Sequence, residues 1–420
     1  MFDIQKTGTG FGSTFGESIS LLKTRRFGTF WFASFLSNIG TWAQQVAQPW
    51  LLLSLGASPF LLGLDVFALG APIWFLTLAG GILADRADRR RVIATFQSIQ
   101  MLCPTLLVVL LLTGAVSPWM VITLSLVIGI TDALSMPSFQ TIVSTIVKHD
   151  QIAAGLALNS TQFNLSRILG PAIAGVLLVS VGAVGCFAIS AVSYLPFIFV
   201  ALWILPRQNI RTNARDVFDR RHPFAGLLEV IRMPNLRGGL MTVFASSILC
   251  GPLITFCPVL VKNMLQGNAM QFSIAISSFG VGALVGAIVL LLIDTHSDRR
   301  MIGSVFAVSF GITLAFVAIN PWFWALPILM ALAGLSMSIT NISVNTLLQT
   351  QSPAQLRGQA VSLFMLAMRG GISLGGLLTG VTVSLLGVDH ALLINGILAV
   401  AVQLFIAWSW LNNNVLNHNN

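Results

Sequence analysis

The chain is written in long apolar blocks separated by short polar connections, with blocks near 30–55, 60–84, 92–113, 119–146, 153–181, 185–205, 237–261, 271–293, 301–319, 322–346, 358–386 and 390–411. Each holds roughly 18 to 28 residues, enough as a helix to cross about 30 Å of hydrocarbon. Backbone N–H and C=O groups cannot go unpaired in lipid, so spans of this kind must be helices. The pattern therefore predicts an all-α membrane protein with twelve transmembrane helices.

Polar residues inside these blocks single out positions that a purely lipid-facing helix would not carry. In span 1, Asn38, Thr41, Gln45 and Gln48 fall within about 80° of one another at 100° per residue, so one face must look inward, either as hydrogen-bonding glue between helices or as a cavity lining. Asp65 stands about six residues in from Pro59, roughly 9 Å deep. That depth is shallow enough to meet water, and both an interfacial carboxylate and a protonatable coupling group fit it. Asp132, Arg167 and Arg369 lie near mid-membrane, where ionisable groups are costly and mark function by default. The turn between spans 4 and 5 leaves Asp132 and Arg167 at equal depth on antiparallel neighbours, which predicts that they pair. Ser160, Asn164, Arg167 and Pro171 share one stripe of span 5. Span 10 offers no carboxylate to Arg369. That arginine is satisfied by snorkelling or backbone carbonyls, or else it faces an aqueous cavity and attracts an anionic or zwitterionic substrate.

The connections carry the charge. All of the 22 Lys and Arg except Arg167, Lys262 and Arg369 precede span 1, lie in the even-numbered connections or fall in the central loop, which by the positive-inside rule places both termini in the cytoplasm. The densest connection follows span 2: Gly80 and Gly81 allow close helix approach, Asp85 sits where the span leaves the membrane, and Arg86, Asp88, Arg89 and Arg90 follow. An acid there can accept from the exposed N–H groups of another helix, while arginines pair with carboxylates or lipid phosphates. A degraded copy, Asp294, Asp298, Arg299 and Arg300, follows span 8. Spans 4 and 5 likewise match spans 10 and 11 at an offset of about 202 residues, with Ser160 on Ser362 and Arg167 on Arg369. The domain reading is a cytoplasmic tail 1–29, a six-helix half 30–205, a cytoplasmic linker 206–236, a second six-helix half 237–411 and a tail 412–420.

Composition closes off other classes. Hydrophobic residues make up 55% and charged residues 8%, which no soluble domain of this length shows. The net charge of +9 is spread along the membrane boundary rather than gathered in one soluble domain, which argues against nucleic acid. Cys103, Cys186, Cys250 and Cys257 lie in apolar spans without paired spacing and read as small buried hydrophobes. Residues 1–26 lack the apolar core of a cleavable signal, so span 1 is expected to serve as the insertion signal. No nucleotide loop, metal-ligand cluster or nucleophile–base set is legible. The expectation is a non-enzyme without cofactor or metal, driven by an ion gradient.

The residues also carry a resemblance. GILADRADRR (Gly81 to Arg90) resembles the loop signature of the major facilitator superfamily, and GPAIAG (Gly170, Pro171 to Gly175) is similar to the helix-five signature of its antiporters. With SNIGTWAQQ and LNSTQFNLSRILGP, nearly the whole chain resembles the drug-proton antiporter branch that includes macrolide efflux proteins and the enterobactin exporter. It departs in having Asp88 where many members have Gly, and Asp132 where many proton antiporters have Arg. The resemblance implies that Asp85 docks near Gly358, and Asp294 and Asp298 near Gly155, as a cytoplasmic gate. It further implies a proton-coupled exporter of an amphipathic small molecule, a siderophore or drug, in the cell inner membrane. Asp132 and then Asp65 are the coupling candidates, with Arg167 as partner. Importer, lysophospholipid flippase and non-transporting sensor are the alternatives. The expected partners are the substrate, protons or another ion, and membrane lipid, with the chain acting as a monomer.

Overall fold

The computed structural model describes residues 20–148, 151–206, 223–293, 297–353 and 356–412, and these form helices joined by short turns. We number the membrane-length helices α1 (Arg25–Ser54), α2 (Pro59–Gly70 and Pro72–Arg86), α3 (Arg89–Leu112), α4 (Pro118–Ile146), α5 (Ile152–Ser180) and α6 (Gly182–Trp203). A short helix, Pro223–Arg232, precedes α7 (Pro234–Leu249, Pro252–Val259 and Leu260–Met264). The rest are α8 (Ala269–Leu292), α9 (Arg299–Ile319), α10 (Leu326–Gln351), α11 (Arg357–Met365, Leu366–Gly370 and Gly371–Leu386) and α12 (Val388–Asn412). Eleven of the twelve are long and apolar enough to cross a membrane. The twelfth, α1, has the length at 30 residues but is diluted by its own Asn, Thr and Gln.

Local chemistry sets the ends. Proline occupies the first turn of both parts of α2, of α4 and of α7, where its missing N–H costs nothing. Asp88 caps α3 by accepting from the Arg90 N–H, and Asp298 caps α9 by accepting from the Arg300 N–H. Each acid also pairs with the side chain of that same arginine at 2.9 Å. The duplication read from the sequence is therefore a repeated helix-start device, in strict register at an offset of 210 residues for Asp88/Asp298 and Arg90/Arg300.

The two six-helix halves meet unequally at their two ends. At the end remote from the basic connections, one apolar core runs across both: Leu51, Leu62, Val121, Leu178 and Phe187 share it with Leu253, Phe256, Phe272, Met330 and Leu392. At the basic end each half has its own core, around Phe27, Phe30, Ile93, Ile142 and Phe197 in one and Leu236, Val344, Leu348, Phe364 and Trp410 in the other. Hydrophobic burial does not drive helices together in lipid, so the far-end seam depends on close packing of small residues. Gly63 of α2 lies where any Cβ would collide with Gly376 and Gly380 of α11. Trp50 of α1 stacks on Phe272 of α8 at 5.2 Å and 17°, adding an aromatic contact across the same seam. Toward the basic end the halves part, and Arg357–Met365 packs on α7, α10 and the Pro223–Arg232 helix of its own half. Among the described residues the halves share a core at the far end and keep separate cores at the basic end, which defines a cleft between them there.

Candidate functional site

Where the cleft narrows, Arg369 of α11 reaches across the halves and pairs with Asp132 of α4, Nη1 to Oδ2 at 2.7 Å. Both side chains are partly exposed, at 32% and 43%, although both sit in the middle of membrane helices, which is what a water-filled cleft requires. Arg369 is delivered by a break in regularity: Leu366–Gly370 is a π-helical turn within α11, a feature common at functional sites because it re-aims a side chain. Gly370, beside it, has no room for a Cβ against the Trp74 indole of α2.

Asp132 is held from its own half as well. Ser37 Oγ of α1 donates to Gln97 Oε1 of α3, Gln97 Nε2 donates to Gln100 Oε1, and Gln100 Nε2 donates to Asp132 Oδ1, at 3.4, 2.9 and 3.4 Å. Every donor points toward the carboxylate. The half that carries the acid is thus polarised to hold a negative charge in place.

A second carboxylate sits about two turns nearer the far end. Asp65 is 3% exposed, not at the water edge that its six-residue depth suggested, because helices α1 and α4 close over it. Its partners are neutral: Gln48 Nε2 donates to Oδ2 at 2.7 Å and Ser125 Oγ donates to Oδ1 at 2.6 Å. Behind them Gln44 donates to Gln48, and Ser190 donates to Gln44. Among the described residues Asp65 forms no ion pair. The Ser125 hydroxyl has a second acceptor within reach, the Val121 carbonyl at 3.2 Å.

The pairing expected between Asp132 and Arg167 is not formed. Equal depth on consecutive helices does not make them neighbours: α4 packs chiefly on α2 and α3, whereas α5 swings away to pack on α1 and α8. Arg369, which had no carboxylate to find on α10, finds one in the other half. The polar stripe of α1 is also shifted by about one residue. The buried seam is Ser37, Gln44 and Gln48 with half-buried Thr41, which meets the Tyr194 hydroxyl at 3.1 Å. Asn38 donates to Gln162 of α5 at 3.2 Å, and Gln45 is exposed. Sequence reasoning missed Ser37, Gln44, Gln97, Gln100 and Ser125, although on α1 the spacing 37, 41, 44, 48 is a tighter stripe than 38, 41, 45, 48.

Other predicted positions scatter. Gly80 presses on the Ala133 and Leu134 backbone as expected, but Gly81 faces open space, so close approach there is the work of one glycine. Gly170 seats α5 against Trp42 of α1, Pro171 lies within α5, and Gly175 meets Ser273 of α8, so the helix-five motif spans both of its packing faces. Ser362 is on the exposed side of α11. Arg90 caps the carbonyl of Leu202 at the end of α6, and Arg89 bonds the Ala84 carbonyl, both within one half. Arg299 lies in the first turn of α9. Asp85, Arg86, Ser160 and Asn164 lie in helices with side chains outside the described set, and Asp294 lies outside the described residues. The four cysteines are free and buried.

Two helical halves around a charged mid-membrane cleft define a membrane transporter of the major facilitator type rather than an enzyme. The chain belongs to the family described as transmembrane secretion effector, whose model matches residues 17–415. It is 26% identical over 380 residues to a staphyloferrin A transporter of Staphylococcus aureus, covering 89% of this chain and 94% of that one. It is 26% identical over 369 residues to the enterobactin exporter EntS of Salmonella typhimurium, covering 86% and 87%. In structure it resembles the nucleoside transporter NupG with a TM-score of 0.72 at 14% identity, over 92% of this chain and 99% of that one, which speaks to the fold alone.

Proposed function

We propose that the chain is a proton-coupled exporter of an amphipathic small molecule, such as a siderophore or drug, that works by rocking its halves about the far-end seam. The observation that carries the reading is the Asp132–Arg369 pair: one charge from each half, in the cleft, where breaking the contact changes how the halves sit. The placement of Lys and Arg supports putting the basic end and both termini in the cytoplasm, so the cleft faces the cytosol, from which an exporter loads. Relatives named as a staphyloferrin A transporter and an enterobactin exporter support the direction and the class of cargo. Each chain carries both halves and acts as a monomer.

Two acids divide the coupling. Protonation of Asp132 releases Arg369 and loosens the grip between halves, and a ligand that prefers the loosened state shifts the balance. Asp65 can carry a proton without moving a heavy atom. When charged, it accepts from Gln48 and Ser125. When protonated, it donates to Ser125 Oγ, whose own proton turns to the Val121 carbonyl, so every group stays bonded. The loop from Asp85 to Arg90 and its echo near Asp298 act as the cytoplasmic gate when the halves close. The test is a strain lacking the gene, complemented with wild type or with Asp132→Asn. Intracellular build-up of one amphipathic metabolite, relieved by wild type and not by the variant, is the expected result. Failed uptake of that compound in the deletion strain would reverse the direction.

A further inference from the structure

The duplication of the chain places Arg167 on α5 where Arg369 stands on α11. The two arginines have different fates. Arg369 has a carboxylate waiting in the opposite half. The counterpart of α4 in that arrangement is α10, and Leu326–Gln351 contains no Asp or Glu. Nor do the other helices around α5 supply one: α1, α6 and α8 have no acid anywhere in Arg25–Ser54, Gly182–Trp203 or Ala269–Leu292. The one acid on α4, Asp132, is already held by Arg369. Among the described residues Arg167 forms no ion pair.

Its direction can be fixed by counting around α5. Exposed Leu169 and Val176, at 36% and 70%, mark the outer face, and at 100° per residue they lie about 160–180° from Arg167. Gln162 and Ser166 bond to α1 on one flank, and Gly175 abuts Ser273 of α8 on the other. Arg167 projects between these two contacts, into the interior. The cleft therefore holds two guanidinium groups and one carboxylate, an excess of one positive charge in a setting where an unpaired charge is costly.

We infer that Arg167 is the docking point for an acidic group of the transported molecule, which takes the place of the carboxylate that the second repeat lacks. The inference rests on the exporter reading and narrows it to cargo with a carboxylate or a similarly acidic oxygen. The planar guanidinium fork suits such a group because it can bind both oxygens at once. A second consequence concerns Asp132. Neutralising it frees Arg369 and gives the cleft a second anion-binding arginine.

The experiment uses the full-length protein in detergent and two shape-matched probes, naphthoate and its uncharged amide, at constant ionic strength, with binding read from tryptophan fluorescence. Wild type is expected to prefer naphthoate by about tenfold, a reasonable ratio for a charge-assisted bidentate contact. Arg167→Gln should bring the two probes level, Arg167→Lys should keep part of the preference, and Asp132→Asn should increase it. Equal binding of both probes to wild type, or a preference that survives Arg167→Gln, overturns the inference. An Asp132→Asn protein with no gain for the anion overturns the second consequence, and if Arg167→Gln does not fold, a full wild-type preference in Arg167→Lys overturns the first. Binding needs no transport, so these outcomes are independent of whether the gene deletion reveals export.

Discussion

Two carboxylates sit in the membrane part of one half, and they are handled in opposite ways. Asp132 is half exposed, bound to a cation and tied to the other half. Asp65 is sealed, bound to an amide and a hydroxyl, and tied within its own half and to no cation among the described residues. The first is open to water; the second is roofed by α1 and α4 of its own half. Burial and partner choice together put one residue type in two settings: an exposed ion pair between the halves, and a sealed carboxyl held by neutral donors.

The sharpest way to break the contrast is to deprive Asp132 of its cation. Arg369→Glu puts like charges face to face across the cleft and should lower transport by roughly 100-fold, equivalent to about 2.7 kcal/mol. The exchanged pair, Asp132→Arg with Arg369→Asp, should recover part of that loss if the contact between halves matters more than its polarity. Transport assays on cells carrying each version decide it.

A smaller effect is expected at Asp65. Asp65→Leu leaves the Gln48 amide and the Ser125 hydroxyl short of an acceptor and should cost about 1–3 kcal/mol, seen as a lower thermal midpoint in detergent. Asp65→Asn keeps an oxygen and a donor in place and should be near neutral in the same measurement while abolishing pH-dependent transport. Comparable losses of stability in both would mean that the charge itself holds the helices together.

Access sharpens the comparison further. A water-soluble carbodiimide, which needs a carboxyl that water can reach and that is free to protonate, should label Asp132 once Arg369→Ala has removed its cation and should spare buried Asp65. Gln48→Ala removes the α1 side chain that covers Asp65 and should make Asp65 reactive, whereas Trp50→Ala, which removes only the stack on Phe272, worth about 0.5–1.5 kcal/mol beyond its area, should leave it spared. Asp65 labelled equally with and without Gln48 would show that α1 does not shield it.

The smallest effect belongs to a reference acid outside the membrane. Partial burial pushes Asp298 up, but its bonds to Arg300 and the charge of that arginine outweigh burial and hold it below the ordinary carboxylate value. Its contribution as a helix cap is therefore complete above the ordinary range and fades as pH falls through the lowered value. Asp298→Ala should cost about 1 kcal/mol at neutral pH and progressively less in acid, followed by thermal unfolding across pH.

The helices were legible because a bilayer imposes a length, and apolar blocks of that length have few other uses. The acids and arginines were legible as functional because lipid penalises them wherever they stand. Their partners were not. Asp132 and Arg369 are 237 positions apart, and their meeting depends on how the halves close, which no local spacing encodes. The depth of Asp65 along α2 could be counted, but its burial depends on which helices roof it. Gln44 could have been found by testing the neighbouring stripe, since 37, 41, 44 and 48 span a narrower arc. Gly81 was misjudged because adjacent glycines on a helix point about 100° apart, and only Gly80 faces α4.

The π-helical turn at Leu366–Gly370 has a consequence for the register of α11. Such a turn amounts to one residue of slack in an otherwise regular rod. Removing any one residue within it would restore a continuous α-helix and rotate everything on its basic side by about 100° relative to the seam. Hydropathy would hardly register the change and the chain would still span the membrane, yet Arg357–Met365 would turn a different face to α7 and α10. In this stretch, length is a more sensitive character than composition.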